Sequence, residues 1–306
     1  MPSVDAGQAS VAVLGARGFI GRTIVSALRA RGVPTVGRGS DSPAVRHGQL
    51  DPEVARAATV VVVTGRSSPA QAEREPETAR TELAESRELF DLLRRPCPEG
   101  GGRQRVLLAS SGGAVYDARR KAPFDEASPT ARSSAYARLK LDVEDAFLVG
   151  AGSRSDRTVL RLSNVYGPGQ RLGTGQGVVG YWFRALLDGQ PIQVFGDPET
   201  IRDYVYAADV AEAFVAAHFT GAPLPAVVNV GSGEPTSLRE LVHVVLHAAG
   251  RPDHPVQMTE DRPFDRRHTW LDVRTARRVL GWQPTTNLQD GLIATWRHAT
   301  ADRGVG

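Results

Sequence analysis

An apolar run, Ser10 to Leu14 (SVAVL), stops at a glycine, and an amphipathic stretch from Phe19 to Arg31 follows almost at once. Strand, tight turn and helix in that order open a parallel α/β sheet, because the helix must pack back on the strand it leaves. The unit recurs through the first half of the chain. Gly32 to Gly37 (GVPTVG) reads as a second short strand, Asp51 to Ala58 as a brief helix, and Thr59 to Val63 (TVVVV) as a third strand. The unbroken apolar character of that third strand fits a parallel sheet covered on both faces. Glu75-Pro76-Glu77 opens a long helix running to about Arg95, since proline and acid suit a first turn. Residues 96–103 (PCPEGGGR) form a loop, Arg105 to Ala109 a strand, Ser133 to about Val149 a long helix, and Thr158 to Leu162 the next strand. This alternation predicts a doubly wound α/β domain.

After Asn164 the texture changes. Gly167-Pro168-Gly169 and Gly173, Gly175 and Gly177 mark irregular chain. A helix over Val178–Leu187 and a short strand over Ile192–Phe195 follow, then helices near 207–219, 237–249, 273–280 and 288–299, with a strand at Val227–Val230. These segments predict a second, smaller region, some of whose chain returns to the first.

Composition excludes several classes. The 306 residues suffice for one large or two medium domains, and 41% hydrophobic with 23% charged residues is ordinary for a soluble globular protein. The net charge of +3 is scattered, with no run of five or six like charges, so neither nucleic acid nor a membrane surface is an expected partner. A mild positive bias suits an anionic small substrate. No apolar run approaches the roughly eighteen residues of a membrane span, and the N-terminus lacks a signal peptide's apolar core. The one cysteine, Cys97, cannot form an internal disulfide; with these features it predicts a cytoplasmic protein.

Gly15-Ala16-Arg17-Gly18-Phe19-Ile20-Gly21 is G-x-x-G-x-x-G, placed where a strand ends and a helix begins. Glycines there permit a tight turn and close backbone approach to a pyrophosphate, and the helix N-terminus adds N–H donors and a favourable dipole. A plain glycine-rich turn has the same composition; the strand-to-helix context favours a dinucleotide site, without metal. The end of the second strand selects the cofactor. An acid there would accept from a ribose 2′-hydroxyl, but Val36-Gly37-Arg38-Gly39-Ser40 holds none before Asp41. Arg38 can bind a 2′-phosphate bidentately, with Arg17 and Ser40 nearby, which favours NADP(H) with NAD(H) as the alternative. Asp51 stands either to meet the adenine amino group or to cap the helix after it.

Tyr136-Ala137-Arg138-Leu139-Lys140 places a tyrosine and a lysine four apart, on one helix face. The ammonium can favour the phenolate and ready the phenol for proton transfer. Of 37 Lys and Arg residues only Lys121 and Lys140 are lysines, so a compact, flexible ammonium is wanted here rather than a planar guanidinium. Taken alone, this pair also arises by chance on exposed helices.

Eight stretches carry a resemblance in a fixed order: GARGFIG (15–21), ASSGGAVY (109–116), YARLK (136–140), LRLSNVYGPGQ (160–170), IQVFGD (192–197), IRDYVYAADVAEAF (201–214), NVGSGEPTSLREL (229–241) and RPFDRRHTWLDVRTARRVLGWQP (262–284). In these the chain resembles the extended short-chain dehydrogenase/reductases, the sugar-nucleotide epimerases, dehydratases and ketoreductases. The resemblance implies a Rossmann domain over residues 1–165 with a returning segment about 203–232. It implies a nucleotide-sugar domain over 166–202 and 233–306. It further implies that Tyr136 transfers the proton, that Lys140 holds the nicotinamide ribose, and that Asn164, Phe195, Arg202, Arg262 and Asp265 meet the nucleotide and its diphosphate. The family's hydroxyl often falls third in a triplet, where this chain has Gly112; Ser111 is the expected hydroxyl, with Ser110 as second choice. Some dehydratases of the group carry an Asp-Glu pair after that hydroxyl, and Gly112-Gly113 stands in its place.

These features favour an NADPH-dependent 4-ketoreductase of a dTDP-4-keto-6-deoxyhexose or similar nucleotide sugar. Arg38 in place of an acid points this way, as does Gly173-Thr174-Gly175-Gln176-Gly177-Val178-Val179, similar to segments in deoxysugar 4-ketoreductases. The alternative is an NAD-dependent UDP-hexose 4-epimerase, with 4,6-dehydration less favoured. Family members often dimerise through a helix pair including the YxxxK helix, so a homodimer is expected.

Overall fold

Six strands make the central sheet: β1 (Val11–Leu14), β2 (Thr35–Arg38), β3 (Thr59–Val62), β4 (Gln104–Ser111), β5 (Ser155–Leu162) and β6 (Val227–Val230). They lie in the order β6-β5-β4-β3-β1-β2, and every neighbouring pair is parallel. The structure is a computed structural model and describes residues 10–95, 103–149, 155–173, 177–259 and 268–301. Cys97 and Thr174–Gln176 lie outside the described residues, as do Arg262 and Asp265.

The helices are α1 (Phe19–Ala30), α2 (Pro52–Arg56), α3 (Pro69–Arg74), α4 (Pro76–Arg94), α5 (Gly112–Val115) and α6 (Ala135–Leu148). After them come α7 (Val178–Leu187), α8 (Ala207–Phe219), α9 (Leu238–Ala248), α10 (Arg274–Leu280) and α11 (Leu288–Ala301). The strands explain the layering. Successive residues point to opposite faces, so Val11 and Val13 pack with Ile24 and Leu28 of α1 and Phe214 of α8. Ala12 and Leu14 pack on the other face with Phe90 of α4 and Phe147 of α6. Both faces are covered, as the apolar TVVV strand requires.

A third cluster is built from Trp182 and Phe183 of α7, Leu241 and Val245 of α9 and Leu292 of α11. It supports the parallel pair Ile192–Phe195 and Val256–Thr259. The strand Val227–Val230 has returned to the large sheet beside β5, and α8 packs on the α1 face. Residues 274–282, expected with the smaller region, sit elsewhere: Ala276 and Trp282 join the core beneath α8, and the Trp282 Nε1 donates to Asp209 O at 2.8 Å. Helices α3 and α5 and the two-residue strands were not foreseen. Such pieces are too short to carry a hydrophobic period, although Ser68-Pro69-Ala70-Gln71 carried a readable signal. Ser68 Oγ and Gln71 form a reciprocal capping box that starts α3. Among the described residues, no helix is long and apolar enough to cross a membrane.

Candidate active site

The glycine turn lies between the end of β1 and the start of α1, next to the point where the strand order reverses. Ligands of open α/β sheets bind at such a crevice. Gly15 has φ +90° and its N–H donates to Arg38 O at 2.9 Å, which ties the turn to the end of β2. A Cβ at Gly15 would lie 2.7 Å from Val63 O, and one at Gly21 only 2.1 Å from Gly15 O. No side chain caps α1 at Gly18, so the first-turn N–H groups are left for another acceptor. Phe19 and Ile20 open the helix half-buried, with Ile20 packed on the core. This uncapped turn, held close to the strand, fits a pyrophosphate.

At the end of β2 the geometry differs from an open phosphate clamp. Arg38 Nη2 lies 2.9 Å from Asp51 Oδ1 and 2.5 Å from Glu53 Oε2. Asp51 is also the N-cap of α2, accepting from the N–H of Glu53 at 3.0 Å and of Val54 at 3.3 Å. Burial opposes the Asp51 charge, but the hydrogen bond from Arg38 and those from the backbone outweigh it and hold its pKa below the ordinary carboxylate value. Arg17 pairs with Asp41, and Ser40 is exposed in the turn between them.

A cavity of about 850 Å³ opens between the C-terminal ends of β4 and β5 and the α7 layer, and Ser111, Tyr136, Asn164, Phe195 and Arg202 all line it. Ser111 is the N-cap residue of α5 and makes no side-chain cap bond. Ser110, one residue earlier, faces the opposite way on the strand and donates to Glu144 Oε1 at 2.5 Å, in a buried site. Only Ser111 of the two reaches the cavity. Tyr136 is in the first turn of α6, whose N-cap Ser134 accepts from Ala137 N. Lys140 is buried behind it, Nζ 5.3 Å from the Tyr136 ring centre. Asn164 Nδ2 donates to Asp203 O at 2.9 Å, Arg202 Nη1 to Ile201 O at 2.9 Å, and the Phe195 ring lies 6.3 Å from that of Tyr181.

Three further features of the site lie outside the expectations above. Ser68, Glu73 and Arg74 at the short helix α3 line the cavity, and Glu73 Oε1 accepts from the Ala135 N–H at 2.7 Å. Gln193 and Tyr181 join Phe195 at the far wall, Tyr181 O–H donating to Gln193 Oε1 at 3.1 Å. Glu82 of α4 lies 2.9 Å from Lys140 Nζ. An acid on a charged helix reads as solvent-facing unless the partner strand and loop are known.

The model of the NAD-dependent epimerase/dehydratase family matches residues 11–231. A UDP-glucose 4-epimerase of Mycolicibacterium smegmatis is 38% identical over 197 residues, covering 63% of this chain and 62% of that protein. A dTDP-4-dehydro-6-deoxyglucose reductase of Escherichia coli is 29% identical over 198 residues, 62% of this chain and 60% of that protein. The chain thus spans about three fifths of the curated relatives it matches. A solved UDP-glucose 4-epimerase of Thermus thermophilus in complex with NAD superposes with a TM-score of 0.79 at 29% identity, over 94% of this chain and 98% of that one.

Proposed function

The chain belongs to the NAD-dependent epimerase/dehydratase family, and from that premise we propose that it is a nucleotide-sugar oxidoreductase, a 4-ketoreductase of a dTDP-4-keto-6-deoxyhexose or similar substrate. The observation that carries this is the convergence of Ser111 and Tyr136 on one cavity, with Lys140 behind the phenol. A bound reduced nicotinamide supplies the hydride. Each remaining task falls to a side chain. As the ketone is reduced, negative charge develops on its oxygen, and the Tyr136 O–H gives its proton there. Ser111 Oγ donates to the same oxygen and orients it beside the phenol. Lys140 holds the nicotinamide ribose and steadies the charge left on Tyr136. Gly15, Gly18 and Gly21, with the N–H groups of Phe19 and Ile20, hold the pyrophosphate. Asn164, Arg202 and, outside the described residues, Arg262 and Asp265 hold the substrate's diphosphate and ribose, with Phe195 against the base.

Gly112-Gly113 supports reduction over 4,6-dehydration. A Cβ at Gly112 would lie 2.7 Å from Leu271 Cδ1 and 3.2 Å from Arg161 O, so a side chain there requires Leu271 to shift and crowds the Arg161 carbonyl. For the cofactor, Arg38 remains the candidate for a 2′-phosphate, and Arg17 and Ser40 flank the same end of β2. A phosphate must draw Arg38 away from Asp51 and Glu53, so NADPH is preferred by a modest margin and NADH is accepted. The protein acts in the cytoplasm, as a homodimer through a helix pair that includes α6.

One observation favours a second activity, NAD-dependent UDP-hexose 4-epimerisation. Two carboxylates already neutralise Arg38, which weakens the case for a phosphate there. Cofactor titration separates the two: a strong NADH preference, or NAD retained through purification, would replace the reductase by the epimerase.

A further inference from the structure

Lys140 is not a lone cation. Its Nζ lies 2.9 Å from Glu82 Oε1, and the two side chains are only 10% and 8% exposed. The second oxygen of Glu82 accepts from the backbone N–H of Arg66 at 3.0 Å and of Ser67 at 2.9 Å. Those residues follow β3, and the next one, Ser68, lines the cavity. A Cβ at Gly65 would come within 3.3 Å of Lys140 Nζ, so the same loop closes over the ammonium. Glu82 therefore fastens three things together: helix α4, the loop after β3 and the lysine of α6.

The other groups around Lys140 leave Glu82 as its counter-ion. Glu144, one turn along α6, is engaged by Arg161 at 2.6 Å and by Ser110 Oγ at 2.5 Å. Tyr136 occupies the remaining side and brings no carboxylate. A buried ion pair is sustained when further hydrogen bonds satisfy its remaining lone pairs, and the N–H groups of residues 66 and 67 do that here. Such a pair carries no net charge.

We propose that Glu82 is a positioning residue that cancels the charge of Lys140, so that α6 presents a neutral ion pair rather than a bare cation to the nicotinamide end of the cofactor. It rests on the assignment of Lys140 to the cofactor above, and not on the identity of the sugar. The oxidised nicotinamide ring is positively charged and the reduced ring is neutral. A bare ammonium would repel only the first. Glu82 thus sets the relative affinity for the two redox states, which a reversible hydride carrier needs to keep close.

The test is equilibrium binding of oxidised and reduced cofactor, without sugar, to the wild type, Glu82→Gln and Glu82→Asp. Glu82→Gln should weaken the oxidised form relative to the reduced form by roughly tenfold, as expected for one unmasked charge at a partly screened site, whereas Glu82→Asp should stay within about threefold of the wild-type ratio. An unchanged ratio in Glu82→Gln, or an equal loss for both forms, overturns the proposal. Should Glu82→Gln fail to fold, Glu82→Met, which removes the same charge at similar length and leaves Lys140 in place, should weaken the oxidised form relative to the reduced form by the same roughly tenfold. An unchanged ratio in that variant also overturns the proposal. Normal cofactor binding with no turnover of any nucleotide sugar would instead refute the proposed function and leave the role of Glu82 standing.

Discussion

Arg38 and Asp51 meet at the end of the second strand with Nη2 and Oδ1 2.9 Å apart, and Glu53 Oε2 lies 2.5 Å from the same nitrogen. Any 2′-phosphate competes with these acids for one guanidinium. The two acids are not equivalent: Asp51 also caps α2, whereas the Glu53 side chain is 57% exposed and is the easier to displace. Glu53→Gln should raise the NADPH-over-NADH preference several-fold, and Arg38→Asp should weaken NADPH more than NADH. Paired dissociation constants check both. Equal effects on the two cofactors would remove Arg38 from the phosphate site.

The two serines at the end of β4 should separate cleanly. Ser111→Ala removes the donor that faces the cavity and should lower kcat by about a hundredfold with little loss of stability. Ser110→Ala leaves Glu144 one hydrogen bond short in a buried site. It should cost about 1–3 kcal/mol of stability and leave kcat nearly intact. Steady-state rates and urea unfolding on both variants decide it; the reverse pattern would move the catalytic role to Ser110.

The Glu82–Lys140 pair predicts a pH dependence of stability. Burial opposes the Glu82 charge, but Lys140 and the N–H groups of Ser67 and Arg66 outweigh it and hold its pKa below the ordinary value. Burial likewise opposes the Lys140 charge, while Tyr136 and Glu82 raise its pKa above the ordinary value. The Glu82 contribution is therefore present above the unfolded value of about 4.3 and lost as pH falls through the folded one. That of Lys140 is present below about 10.4 and lost as pH rises through its folded value. Glu82→Gln should cost about 3–5 kcal/mol near neutral pH, and the gap to the wild type should narrow on acidification below the ordinary glutamate range. Urea midpoints across pH measure this; a gap that stays constant would contradict the pair's role.

Gly112 offers a steric check. Gly112→Asp should destabilise by about 1–3 kcal/mol, the usual cost of overpacking, because Leu271 and the Arg161 carbonyl occupy the space. Gly113→Ser should be tolerated, since a Cβ there lies 3.7 Å from Asn164 Nδ2. Thermal unfolding of the two variants tests the contrast.

The large sheet was legible because each of its strands is a short apolar run between breakers, and TVVVV can be little else. Tyr136 and Lys140 were legible because four residues is a helical spacing. What stayed hidden depends on long-range return. Glu82 meets Lys140 across 58 residues, and nothing local marks it among the other acids of α4. In the sequence Arg38 stands as an available phosphate ligand, because Asp51 and Glu53 come back to it only through a turn and a two-residue strand pair. Position in the chain puts residues 274–282 with the smaller region, whereas the Trp282 indole fits beneath α8.

The most direct measurement is to incubate the protein with a dTDP-4-keto-6-deoxyhexose and NADPH while following the absorbance of the reduced nicotinamide. The proposed reductase consumes that absorbance in step with ketone. Tyr136→Phe should lower the rate by about a hundredfold or more while leaving cofactor binding nearly unchanged. Unchanged absorbance in the wild type, together with interconversion of UDP-glucose and UDP-galactose in a parallel reaction, would contradict the reductase and establish the epimerase.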